Sequence, residues 1–273
     1  MKTNSVLLTF AAALAFGACA REVSEPCPET SAGLKEVSFR IHSASFTRGG
    51  KDDFVVGDSI GIYAVKRTAP ETAAVPGVTG NQAHNAKWVK TEEGWAPATP
   101  TDKVVWSQDG EPLDFYAYWP YVREASRPDS MIFEVNTMPN ADVLRAANVR
   151  GLTDGEVELA FEHAFSLVEV EILGEGIDFL PELTVKAIHV KTKTAWNIGT
   201  GAFIHSEDGA TTAEFAVTDA AARLFRVVLP PQSIATEENF LQCDNGDVAY
   251  MYTPAESFDL SAGSLQRMKI TLK

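Results

Sequence analysis

No stretch of this chain keeps apolar residues on one helical face for three turns, whereas apolar and polar residues alternate again and again from residue 37 onward. Val37, Phe39 and Ile41 alternate with Ser38, Arg40 and His42. Residues 60–65 form a second run behind the turn-forming Gly57-Asp58, and Leu113, Phe115, Ala117 and Trp119 share one face of a third that Pro120 ends. Val168, Val170 and Ile172 repeat the pattern with Glu169 and Glu171 between them. A period of two buries one face of a sheet, and without helical crossovers βαβ architectures and their ligand crevices are excluded.

Further strands are expected at 157–161, 183–190, 213–217, 225–229, 248–252 and 268–272, and Glu92-Glu93-Gly94 reads as a hairpin turn between Trp88-Val89 and Trp95. Residues 66–87 carry Pro, Gly and Asn without period and are expected to form a long irregular connection. Only 140–148 and 219–223 read as short helical pieces. The glycines of 151–155 mark a boundary. The expected fold class is all-β, two tandem antiparallel β-sandwiches at residues 34–150 and 156–273.

The first 18 residues are expected to be an export leader. Lys2 precedes the apolar run 6–16, which is too short for a permanent membrane span, and small residues Gly17 and Ala18 lead into Cys19. The stretch Leu14-Ala15-Phe16-Gly17-Ala18-Cys19 is similar to a bacterial lipobox, in which the cleaved cysteine is acylated; an ordinary signal peptide ending near a cysteine is the alternative. Residues 19–33, rich in Glu, Pro and Ser, read as a flexible tether. Losing Lys2 with the leader takes the net charge from −14 to −15. That field repels phosphate backbones, so nucleic acid is excluded as a partner. Cys27 and Cys243 could pair in an oxidising compartment, but no spacing requires it.

Catalytic constellations are missing from the pattern. His42, His84, His163, His189 and His205 are scattered without metal-ligand spacing, and no serine sits in a Gly-x-Ser-x-Gly setting. Asp52-Asp53 and Glu92-Glu93 lack the spaced oxygens of a calcium loop and read as solvated loop charge. The chain is therefore expected to be no enzyme, with neither metal nor cofactor. Five tryptophans could stack on sugars if exposed; Trp106 and Trp119 lie in strand patterns, and core packing is the reading for Trp88 and Trp95 as well.

Several motifs, in order, resemble the fimbrillin family. They are Phe54-Val55-Val56-Gly57-Asp58-Ser59-Ile60-Gly61-Ile62-Tyr63, then Trp106 followed by Leu113-Asp114-Phe115-Tyr116-Ala117-Tyr118-Trp119-Pro120, then Asp142-Val143-Leu144-Arg145-Ala146, Phe161-Glu162-His163-Ala164-Phe165, and Leu229-Pro230-Pro231-Gln232. The resemblance covers residues 37–273 and implies two transthyretin-like Greek-key sandwiches. It further implies a surface lipoprotein of Gram-negative gut and oral bacteria, held in the outer membrane through its lipid, and a structural or accessory part in an adhesive pilus (fimbria). In that family an Arg-specific surface protease cuts after the first strand, and strand exchange with other pilus subunits follows. The matching bond here is Arg48-Gly49, and the excised strand is the one bearing Val37, Phe39 and Ile41.

The residues around that bond support the same expectation. Gly49-Gly50 makes the backbone pliable between two strand runs, where proteolysis concentrates. Three buried side chains at roughly 1.5–3 kcal/mol each contribute about 4–9 kcal/mol, comparable with the stability of a whole domain, about 5–15 kcal/mol. Residues 19–48 hold four basic and four acidic side chains, so apolar and backbone terms, not net charge, would drive exchange. The rival expectation is a monomeric glycan-binding envelope lipoprotein with the same sandwiches.

Overall fold

A computed structural model of the chain describes residues 33–43, 53–123, 125, 127–137, 142–174, 183–205, 211–220 and 223–272. The expected leader, Cys19, Cys27 and the Arg48-Gly49 bond lie outside the described residues. The chain is all-β, and Leu34–Lys273 forms one compact unit.

The first half holds strands β1 (Ser38–His42), β2 (Ser59–Lys66), β3 (Ala83–Thr91), β4 (Gly94–Pro97), β5 (Leu113–Trp119), β6 (Met131–Glu134), β7 (Leu144–Leu152), β8 (Glu156–Ala160) and β9 (Glu162–His163). Next come β10 (Ser166–Leu173), β11 (Thr184–Val190), β12 (Lys193–Trp196), β13 (Phe203–His205), β14 (Thr211–Glu214) and β15 (Ala216–Asp219). The last are β16 (Leu224–Leu229), β17 (Gln232–Ile234), β18 (Leu241–Asp244), β19 (Ala249–Tyr252), β20 (Phe258–Leu260) and β21 (Leu265–Thr271).

In the first sandwich a six-stranded antiparallel sheet, ordered β4-β3-β2-β5-β7-β9, faces the two-stranded pair β1-β8. Ile60, Ile62, Trp88, Leu113, Phe115 and Leu144 from the large sheet meet Val37, Val157, Leu159 and Phe161 in one core. Strand β5 is buried along its whole length because it has two apolar faces. Leu113, Phe115, Ala117 and Trp119 turn to this core, while Tyr116 and Tyr118 turn to another that holds Tyr63, Phe133, Phe165, Trp196 and Val228. The second sandwich packs sheet β15-β16-β10-β21 on β14-β11-β18-β19 around Val170, Ile172, Phe225, Phe240 and Leu241.

Two expectations are corrected. Where 140–148 was expected to be helical, Leu144–Leu152 is a strand: Leu144 and Ala146 alternate into the first core and the segment pairs along β5. Pairing with a fully buried strand outweighs the helix propensity of Leu-Arg-Ala-Ala. Of the expected helical turn at 219–223, Asp219 ends β15, Leu224 opens β16 just after it, and residues 221–222 lie outside the described residues.

The boundary expected at 151–155 is not where the halves part. That segment carries the chain from β7 in the large sheet to β8 in the facing pair, both within the first sandwich. Gly151 is there because φ is +64° and an added Cβ would sit 2.8 Å from the Arg67 guanidinium carbon. Strands of the halves also share a sheet, β13-β12-β6, in which Met131–Glu134 pairs with Lys193–Trp196. Arg145 ties them again, donating from Nε to the Ile198 carbonyl at 2.7 Å and from Nη2 to that of Gly199 at 2.9 Å.

Candidate functional site

The three residues expected to hold the first strand do sit in the first core, to different depths. Val37 is 3% exposed, while Phe39 and Ile41 are half-buried and packed against the same core. Phe39 meets Trp88 and Phe115 edge to face, with ring centroids 5.0 and 5.7 Å apart. Discounting the two half-buried side chains lowers the apolar contribution to roughly 3–6 kcal/mol.

Strand β1 runs parallel to β8 in a register from Ser38 opposite Glu156 to His42 opposite Ala160. Each is the other's only named strand partner. At its start the Val37 amide donates to the Val104 carbonyl at 2.8 Å and the Trp106 amide to Lys35 at 2.9 Å. At its end the Phe161 amide donates to the His42 carbonyl at 3.0 Å. Taking this strand away would leave β8 without a ladder and open the core over Trp88 and Phe115.

The two ends of the connection that follows lie together: the Ser43 hydroxyl is 3.3 Å from an Asp53 carboxylate oxygen. Phe54, just beyond, is buried against Trp95 and Phe161 at 5.1 and 5.2 Å. Both anchors are thus independent of the covalent link through 44–52, which holds Arg48 and Gly49.

The sequence reading did not single out the outer face of this strand pair. An Arg40 guanidinium nitrogen lies 2.7 Å from the Glu156 carboxylate, and His42 Nε2 lies 3.4 Å from that of Glu158. The alternation Glu156-Val157-Glu158-Leu159 was legible, but an acid on a strand's outer face looks the same whether it meets water or a base.

A second anchor lies on β5. Asp114, fully buried, receives Arg67 Nε at 2.9 Å and Nη2 at 2.9 Å, and the amides of Ala74 and Gly151 at 2.8 and 2.9 Å. Arg67 also donates to the carbonyls of Pro70 and Val149. The Asp114 hydrogen bond, ahead of its charge, raises the Arg67 pKa and holds the guanidinium charged. The irregular segment after β2 is thereby fastened to the sheet.

Other singled-out residues are structural. Trp88, Trp106, Trp119 and Trp196 are buried, and Trp95 is half-buried against Phe54. His163 is buried with Nδ1 2.9 Å from Asp142 Oδ2. Cys243 lies in the second core, where burial pushes its thiol up to about 11.

The chain belongs to the fimbrillin-like family, whose model matches residues 47–273. A candidate cell adhesion protein from Bacteroides uniformis shares the fold at a TM-score of 0.66 and 19% identity, covering 88% of this chain and 94% of that one. One from Bacteroides ovatus gives 0.63 at 13% identity, covering 89% and 93%. A third, from Bacteroides thetaiotaomicron, gives 0.54 at 16%, covering 86% and 93%. No curated protein sequence matches the chain.

Proposed function

We propose that this chain is a non-enzymatic subunit or accessory component of an adhesive surface pilus, joined to its neighbours by exchange of the first strand. The carrying observation is that β1 fills a core and, among the described residues, supplies the only ladder to β8, yet is fixed at both ends without the 44–52 connection. A cut there separates β1 covalently while leaving it docked. Membership of the fimbrillin-like family agrees with this. In this reading an Arg-specific surface protease cuts Arg48-Gly49, and another subunit's strand replaces β1 by mass action. The glycan-binding alternative loses its motive, because the tryptophans that prompted it pack inward.

The test is limited proteolysis of the purified full chain with an Arg-specific protease at high protein concentration. Cleavage at Arg48 ahead of other basic sites, followed by detergent-resistant ladders, is expected; Arg48→Ala should abolish both and leave the precursor folded. A cut chain that stays monomeric, alone and with co-expressed pilus subunits, would overturn the reading.

The lipoprotein part is tested separately. Cys19→Ser should abolish incorporation of labelled palmitate and release the protein from the outer membrane fraction. Unchanged membrane partitioning would remove the lipid anchor.

A further inference from the structure

The described residues contain two parallel strand pairs, and both follow one charge rule. In each, the acceptor strand alternates apolar and acidic residues, Glu156-Val157-Glu158-Leu159 in β8 and Glu169-Val170-Glu171-Ile172 in β10. In each, the outermost strand alternates apolar and basic residues. Arg40 and His42 of β1 reach Glu156 and Glu158, and Arg267 and Lys269 of β21 reach Glu169 and Glu171 at 3.1 and 2.8 Å. The geometry differs in one respect. On β21 each base is directly opposite its acid, whereas on β1 each reaches the acid two residues back from its register partner.

The apolar face fixes the register to within two residues. Sliding β1 forward by one residue would turn Phe39 and Ile41 outward, which the core forbids. Sliding it by two in either direction keeps the apolar face: one way Arg40 comes opposite Ala160, the other way Arg40 and His42 come directly opposite Glu156 and Glu158. Core and charges together therefore select an alternation of apolar and basic residues rather than one exact register.

We propose that Glu156 and Glu158 are specificity-determining residues of the groove. They admit an extended segment with apolar side chains at three alternate positions and basic side chains after the second and third of them, and disfavour an acidic or neutral one. This rests on the strand-exchange reading and adds to it the chemistry of the incoming strand. The apolar face and the backbone ladder supply affinity, while the charges supply choice of partner.

The test uses the full chain with a protease site placed between residues 44 and 52. After cleavage, it is unfolded and refolded with an excess of labelled peptide spanning residues 35–43. Three peptides compete: the native sequence, one with Arg40→Gln and His42→Gln, and one with Arg40→Glu and His42→Glu. The half-exposed Arg40–Glu156 pair, joined by His42–Glu158 when the imidazole is protonated, gives an expected preference of about two- to thirtyfold for the native over the Gln peptide, largest at acidic pH where the imidazole is charged and the carboxylates still are. The Glu peptide should rank last, and the spread should shrink in high salt. Both acids are about half exposed, so the Glu156→Gln/Glu158→Gln chain should keep its fold, checked by thermal melting, and take up all three peptides alike. A Glu156→Lys/Glu158→Lys chain should invert the ranking. Equal uptake of the three peptides by the parent overturns charge selection and leaves strand exchange standing. No uptake of any peptide overturns strand exchange itself, and this proposal with it.

Discussion

Asp114→Ala is expected to lower the stability of the full chain by about 3–5 kcal/mol, the usual result of breaking a buried ion pair by removing one partner. For a unit of this size that is a fall in Tm of roughly 6–20 °C. The substitution strips four donors of their acceptor at once: two guanidinium N–H groups of Arg67 and the amides of Ala74 and Gly151. Each sits where water does not easily replace the lost carboxylate. Arg67→Ala should cost less, because the two backbone amides still satisfy the Asp114 carboxylate. Asp114→Asn should fall closer to Ala than its shape suggests, since one amide NH2 must then face a backbone or guanidinium donor. Paired thermal and urea melts would measure this order. An Asp114→Ala melt within about 1 kcal/mol of the parent, well inside the range of ordinary single substitutions, would show that Asp114 does not hold the post-β2 segment to the sheet.

The same residue shows where sequence reading stops. Short apolar or alternating runs placed β2, β5, β8, β10 and β16, since the period of two is imposed by the pleat itself. Asp114 interrupts that pattern at a buried position on β5, and nothing local announces that its partners lie 40 residues away. Strand β7 was missed for the opposite reason. Leu144, Ala146 and Ala147 are good helix formers, and only their pairing along β5 makes them a strand. The shared sheet of β6, β12 and β13 was equally invisible, because it joins segments about 60 residues apart with no local signal. At the candidate site, Val37, Phe39 and Ile41 were legible from alternation alone. Their acidic partners were not, since Glu156 and Glu158 repeat the outward acids of any half-exposed strand.

Replacing Val37, Phe39 and Ile41 together by Ser should leave a chain that no longer holds its first sandwich. The three side chains account for roughly 3–6 kcal/mol of burial, set against about 5–15 kcal/mol for a whole folded unit. The loss does not stop there, because β8 has no other named strand partner and its peptide groups lose their ladder with β1. Trp88 and Phe115 also lose the ring that meets them edge to face. General misfolding would give the same loss of signal, so the informative measurement is rescue in trans. A peptide of residues 35–43 supplied during refolding should restore the cooperative melt, and a Ser-substituted peptide should not. Rescue would mean that the groove is formed by the rest of the chain and needs only a strand of the right pattern, which is the physical requirement for a neighbour's strand to replace β1. A triple variant that melts like the parent would show that β1 adds nothing to the core. One that no peptide rescues would show that β1 must be covalently present for the fold to form, and strand exchange could not follow the cut.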